Sequence, residues 1–166
     1  MDFSRLNAGE VLLDFGDSRR FNGSVRAAVR IEAAVDAIWT ILKDCESAPE
    51  YVPRVQECEL LETLEDGMAQ IFRQRAKLTW FLPSFDHEFR LDYSPPDRID
   101  VNRVSGPFEV LDGTWWLLPD EETSITLVYS LNFEPGMPVP RFVVGRILRR
   151  DVPIILAEIR DRAEAL

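Results

Sequence analysis

The chain has a single histidine, His87, so any chemistry built on imidazole must run through that residue. A Ser-His-Asp or Cys-His arrangement would have to recruit it, yet no Gly-x-Ser-x-Gly elbow accompanies it. A metal site would need His87 together with several spaced carboxylates, and the sequence offers no such spacing, so no metal is expected. Gly-rich phosphate loops are lacking too, which predicts no nucleotide cofactor. What remains is a set of polar residues placed singly in apolar runs: Gln74, His87, Arg103 and Tyr129. Polar groups scattered in this way suit the orientation of a ligand. If the protein is catalytic, His87, Arg103 and Tyr129 are the candidates, the last two to polarise a carbonyl or hold an anion.

The elements that must position these residues follow from periodicity. Strand runs are expected at 11–15 (VLLDF) and 25–31 (VRAAVRI), the latter alternating Val25, Ala27, Val29 and Ile31 with arginines and Ala28. Residues 32–44 carry Val35, Ile38, Trp39 and Leu42 at helical spacing, and a short helical turn at 46–53 is stopped by Pro53. From 55 to 134 six strand runs are separated by the turn compositions EDG, LPS, SPPD, SGP and PDEET. Short connections make such runs an antiparallel meander. A helix from about 140 to 165 follows, with Val144, Leu148, Val152, Ile155, Ile159 and Ala163 on one stripe and Pro153 expected to bend it. The fold class is therefore α+β. The sheet must bury its apolar face, and the terminal helix is the one long amphipathic element available to cover it.

Alternation then assigns faces. Inward positions are Phe72, Gln74, Ala76, Leu78 and Trp80 in one strand and Phe85, His87, Phe89, Leu91 and Tyr93 in the next. Ile99 and Val101 point inward and take Arg103 with them; Leu111, Trp115 and Leu117 follow, then Ile125, Leu127, Tyr129, Leu131 and Phe133. A solid core would use aliphatic side chains, whereas this face is aromatic and interrupted by polar groups, the character of a small-molecule cavity. The candidate ligand-binding residues are Phe72, Gln74, Leu78, Trp80, His87, Phe89, Arg103, Trp115, Tyr129 and Phe133. Arg103 either anchors a polar ligand group or pairs with a carboxylate such as Glu109 or Asp112.

Residues 78–85, LTWFLPSF, are unusually apolar for a turn. Trp80 and Phe85 continue the inward phases of their strands, which leaves Phe81, Leu82 and Pro83 as an apolar tip. Arg146, Arg149 and Arg150 form a basic face on the terminal helix. Tip and basic face together suit transient docking on a membrane or acidic partner; the alternative is that the tip folds back onto its own sheet as a lid.

At 166 residues and a formal charge of −10, one domain is expected, preceded by an extension at 1–22 that holds the first strand run. The acidity disfavours nucleic-acid binding. No signal peptide and no stretch of ~20 apolar residues is read, so the cytoplasm is the expected location, with a monomer or weak dimer as the expected state. Cys45 and Cys58, thirteen residues apart, could bridge, but two reduced thiols are expected.

The runs at 23–62, SPPDRI, SGPFEVLDGTWWLLP and TSITLVYSLNFE resemble the START-like (SRPBCC) superfamily, nearest to its polyketide cyclase/dehydrase and coenzyme Q-binding branches. The matching features are an apolar strand entering a helix with Trp39, the Asp44–Pro53 run and the Gly106–Trp115 run, over roughly residues 23–165. The resemblance implies a helix-grip fold, a curved antiparallel sheet around the C-terminal helix with an apolar cavity. It further implies a ligand such as a lipid, quinone or polyketide, carried or sequestered, with cyclisation or dehydration in a minority of members. Diffuse features of this kind specify fold better than function.

Overall fold

The structure, a computed structural model, describes residues 3–15, 21–120 and 123–166. A short helix α1 (Phe3–Asn7) leads into β1 (Leu12–Asp14) and β2 (Ser24–Ile31), followed by α2 (Val35–Lys43) and a single 3-10 turn (Ala48–Glu50). Six strands then run without interruption by a helix longer than one turn: β3 (Val55–Leu64), β4 (Ala69–Ala76), β5 (Phe85–Ser94), β6 (Arg98–Ser105), β7 (Phe108–Pro119) and β8 (Ile125–Pro135). The chain ends in α3 (Arg141–Glu164), one continuous element that contains Pro153. The expected turns at 16–20 and 121–122 lie outside the described residues.

All strand pairings are antiparallel, in the order β1-β2-β8-β7-β6-β5-β4-β3. The chain thus leaves β2 on one side of the sheet and re-enters at the far edge with β3. α2 and the 3-10 turn make that crossing, which places them across one end of the sheet's inner face. This is the helix-grip architecture, with the curved sheet closed by α3.

Burial follows the alternation. Val29 and Ile31 of β2 and Leu117, Ile125 and Leu127 of β7 and β8 pack against Val152, Leu156 and Ile159 of α3. Each such aliphatic side chain contributes about 1.5–3 kcal/mol. Ala28 is buried on the opposite face because Leu6 and Leu12 cover it. A second cluster, Phe108, Phe133, Val139 and Val144, fills the space under the first turns of α3.

Two expectations are corrected here. Cys45 and Cys58 are joined as a disulfide: the end of α2 runs beside β3 and brings their Cα atoms to 5.4 Å. Thiols thirteen residues apart carried no sign of that proximity in the sequence. The strand at 69–80 stops at Ala76, because pairing with β5 ends at Ala76 opposite Phe85. Residues 77–84 form a loop instead, whose first amide, Lys77, donates to the carbonyl of Arg54. Alternation holds only while a strand is paired, so Trp80 turns outward and is 87% exposed, while Leu78 and Leu82 pack into the second cluster.

Candidate functional site

A cavity of about 220 Å³ lies between the inner face of the sheet and the C-terminal half of α3. β4 contributes Phe72 and Gln74, β5 contributes His87, Phe89 and Leu91, and Trp115 and Tyr129 come from β7 and β8. Val152, Ile155 and Ile159 of α3 form the opposite wall. α2 and the crossing segment close the end with Leu42, Cys45, Ala48 and Tyr51, and Cys58 of β3 sits beside them. The disulfide is therefore part of the cavity wall.

The polar groups are few and differ in what holds them. His87 is 7% exposed and lies among Phe85, Phe89 and Phe108, with ring centroids 5.2–6.0 Å away. Burial among these rings pushes its pKa down to about 4, only partly countered by the Asp86 carboxylate, so the imidazole is neutral at physiological pH. Its Nε2 is 3.2 Å from Gln74 Oε1, while Nδ1 is enclosed without a hydrogen-bond partner among the described residues. With Nε2–H donating to Gln74, the unmatched atom is an acceptor lone pair, the less costly kind to leave unpaired.

Gly106, in the β6–β7 turn, makes this packing possible. Its φ of +128° suits glycine, and a Cβ there would come within 2.6 Å of His87 Cβ. Across the cavity Tyr129 stacks on Trp115 with centroids 4.1 Å apart. Burial raises the Tyr129 phenol above its usual range, with the Asp112 carboxylate acting in the same direction, so it too stays neutral. At the end wall Tyr51 is pushed up to about 12, chiefly by burial, and Arg162 lies over its ring at 4.6 Å.

Six of the ten residues read from the sequence as ligand-binding face this cavity: Phe72, Gln74, His87, Phe89, Trp115 and Tyr129. Four do not. Trp80 and Leu78 lie in the loop beyond β4. Phe133 is buried against Phe108, at 4.9 Å, in the second cluster. Arg103 has the inward phase, since it sits opposite Phe89, but β6 pairs with β7 only through Asn102. Freed at the strand end, its side chain is exposed and donates from Nη2 to the Gly106 carbonyl at 2.6 Å. It reaches neither the cavity nor the carboxylates of Glu109 and Asp112, being satisfied by its own turn.

The end wall was missed because strand alternation says nothing about a crossing segment. Its signal was the apolar stripe of α2, which continues from Ile38 through Leu42 to Cys45. Trp39 pins that helix, donating from Nε1 to the Pro96 carbonyl at 2.8 Å and meeting Tyr93 edge-on.

An antiparallel sheet gripping its last helix around an apolar cavity defines a START-like (SRPBCC) protein. The chain belongs to the family described as polyketide cyclase/dehydrase and lipid transport, whose profile matches residues 31–160. It is 25% identical over 132 residues to the ribosome association toxin RatA of Pseudomonas aeruginosa, covering 78% of this chain and 88% of that one. It is 27% identical over 153 residues to a putative polyketide cyclase of Streptomyces cyaneus, covering 86% and 94%. Among solved structures, the Zhui aromatase/cyclase of Streptomyces sp. R1128 superposes with a TM-score of 0.72 at 20% identity over 85% of this chain and 93% of that one. Human STARD10 superposes at 0.75 and 14% identity, over 92% and 68%.

Proposed function

We propose that the protein binds one compact hydrophobic molecule bearing a polar group, in the cavity under α3, and carries or sequesters it. The observation that carries this reading is the pairing of an aromatic wall with a few neutral polar side chains. A volume of about 220 Å³ falls below the roughly 300–1,000 Å³ usual for small-molecule sites. It suits a fused-ring quinone or polyketide-like molecule better than a two-chain lipid. Neutral His87, Gln74 and Tyr129 can exchange hydrogen bonds with a carbonyl or hydroxyl, and none of them calls for a charged ligand.

Aromatase/cyclase or dehydrase activity is the second reading, favoured by the likeness to a putative polyketide cyclase. The site supports it less well. A histidine with a pKa of about 4 is a weak general base at neutral pH, and its Nε2 is already engaged by Gln74. Arg103 is turned away from the cavity and has no part in it.

Titration with 1,4-naphthoquinone, read by quenching of tryptophan fluorescence, tests the binding reading. Saturable quenching at one site is expected, and Ala48→Phe, which fills the end of the cavity, should weaken it at least about tenfold. Equal quenching by wild type and Ala48→Phe would place binding elsewhere. Turnover of a polyketide-like substrate that is lost in His87→Gln would favour the enzymatic reading.

A further inference from the structure

The second cluster draws two distant segments together at one end of the molecule. Leu78 and Leu82 of the loop 77–84 belong to the same apolar cluster as Met137 and Val139, just before α3, and Val143 and Val144 in its first turn. What these segments present outward is unlike the rest of the surface. Trp80, Phe81 and Phe142 are 87%, 53% and 68% exposed, and the first two meet edge to face at 5.6 Å. Three aromatic rings left in water beside a well-filled core are an unexplained expense of apolar surface.

Charge follows the same geography. Residues 141–150 hold four arginines and no carboxylate, and residues 77–84 hold Lys77 and no carboxylate. Four positive charges in the first ten residues of α3, set against a chain total of −10, leave −14 on the remainder. The molecule is electrically polarised, with its cationic end at the exposed rings. Arg141 is paired with Glu134 at 2.8 Å, whereas Arg146 and Arg150 meet no carboxylate among the described residues. Arg146 instead lies 6.0 Å over the Phe142 ring.

We propose that this end docks on the surface of an anionic lipid bilayer, Trp80, Phe81 and Phe142 entering the headgroup layer and Arg146 and Arg150 meeting lipid phosphates and carboxylates. Exposed rings together with the arginines of the first turns of α3 match an interface that is apolar below and anionic above. A folded acidic partner would match the charge but would need a recess for Trp80, which stands clear of the surface. The net acidity of the remainder then orients the molecule, holding every other face off the membrane. Docking is independent of the cavity's occupant: the rings and arginines involved lie outside its wall.

The test is co-sedimentation of the full chain with vesicles of phosphatidylcholine, alone or with about 30% phosphatidylserine. Trp80→Ser/Phe81→Ser and Arg146→Glu/Arg150→Glu are compared with wild type, circular dichroism confirming that each variant is folded. These side chains are exposed, so folding should survive. Wild type should pellet with the anionic vesicles and lose binding as salt is raised, and each double variant should bind at least about tenfold more weakly. No sedimentation of wild type would overturn the proposal, as expected if the patch serves an acidic protein instead. So would equal binding by wild type and both variants. Naphthoquinone quenching should be unchanged in both variants, so a failure of docking and a failure of ligand binding would be told apart.

Discussion

Burial holds the His87 imidazole neutral to about pH 4, and the consequence for stability has a definite sign. The unfolded chain takes up the proton near the ordinary value of 6.5, so between the two values the unfolded state binds more protons than the folded one. Stability contributed by His87 is therefore complete above about 6.5 and is lost as pH falls toward 4, on the order of 3 kcal/mol in all. Urea unfolding at a series of pH values should show that loss in wild type and a shallower one in His87→Gln, which retains a polar group facing Gln74. Parallel curves would mean that His87 is not the group responsible. Over pH 7 to 8, by contrast, ligand affinity should be flat, because neither His87 nor Tyr129 changes charge there. Residue identity alone singled out His87 and Gln74, since alternation put both on one face. It could not show that Arg103, in the same phase, would be drawn off by the Gly106 carbonyl. A long flexible side chain at a strand end is free to choose among nearby acceptors, and phase fixes only where it starts.

The crossing segment is the element on which the cavity depends, and two links fasten it. The Cys45–Cys58 disulfide ties the end of α2 to edge strand β3. Closing a loop of thirteen residues is worth about 3 kcal/mol in the chain-entropy description. Cys45→Ala/Cys58→Ala, or addition of dithiothreitol to wild type, should lower stability in urea by about 2–3 kcal/mol and weaken naphthoquinone binding; unchanged stability would argue against the bridge. The second link is Arg54, whose φ of +76° turns its carbonyl toward Lys77 N–H, while its Nε donates to Asp151 Oδ2 at 3.1 Å. Asp151 is 5% exposed, and its other oxygen has no hydrogen-bond partner among the described residues. Arg54→Met would strand that carboxylate, at a cost of about 3 kcal/mol, whereas Arg54→Met/Asp151→Leu should regain most of it. A double-mutant cycle showing simple additivity would remove the coupling. Elements were the most legible level of the sequence: periodicity placed every strand of the meander and the terminal helix to within a few residues. The 69–80 run was misread because Leu78 and Trp80 keep the period after pairing has ended. The links between elements were not legible, because thiols and arginines reveal their partners only once the chain has crossed the sheet.

At the scale of the molecule, the space under α3 is filled beneath its start and, beneath its second half, packed toward β2 but hollow toward β4 and β5. Phe108, Phe133 and Val144 fill the space under the start of α3, and the cavity lies under its second half. The hollow part is costly, since side chains lining a void forgo contacts that a filled core would make. A bound ligand would restore them, and would stabilise the fold in proportion to its occupancy. Family membership fixes this architecture and leaves the occupant open. The most direct measurement is native mass spectrometry of freshly purified full-length protein, before and after organic extraction, with the extract analysed separately. One compact hydrophobic molecule per chain is expected, released by extraction, with a lower unfolding temperature afterwards that the returned extract restores. Protein that carries no adduct, and whose unfolding temperature neither extraction nor naphthoquinone alters, would contradict a ligand-binding cavity.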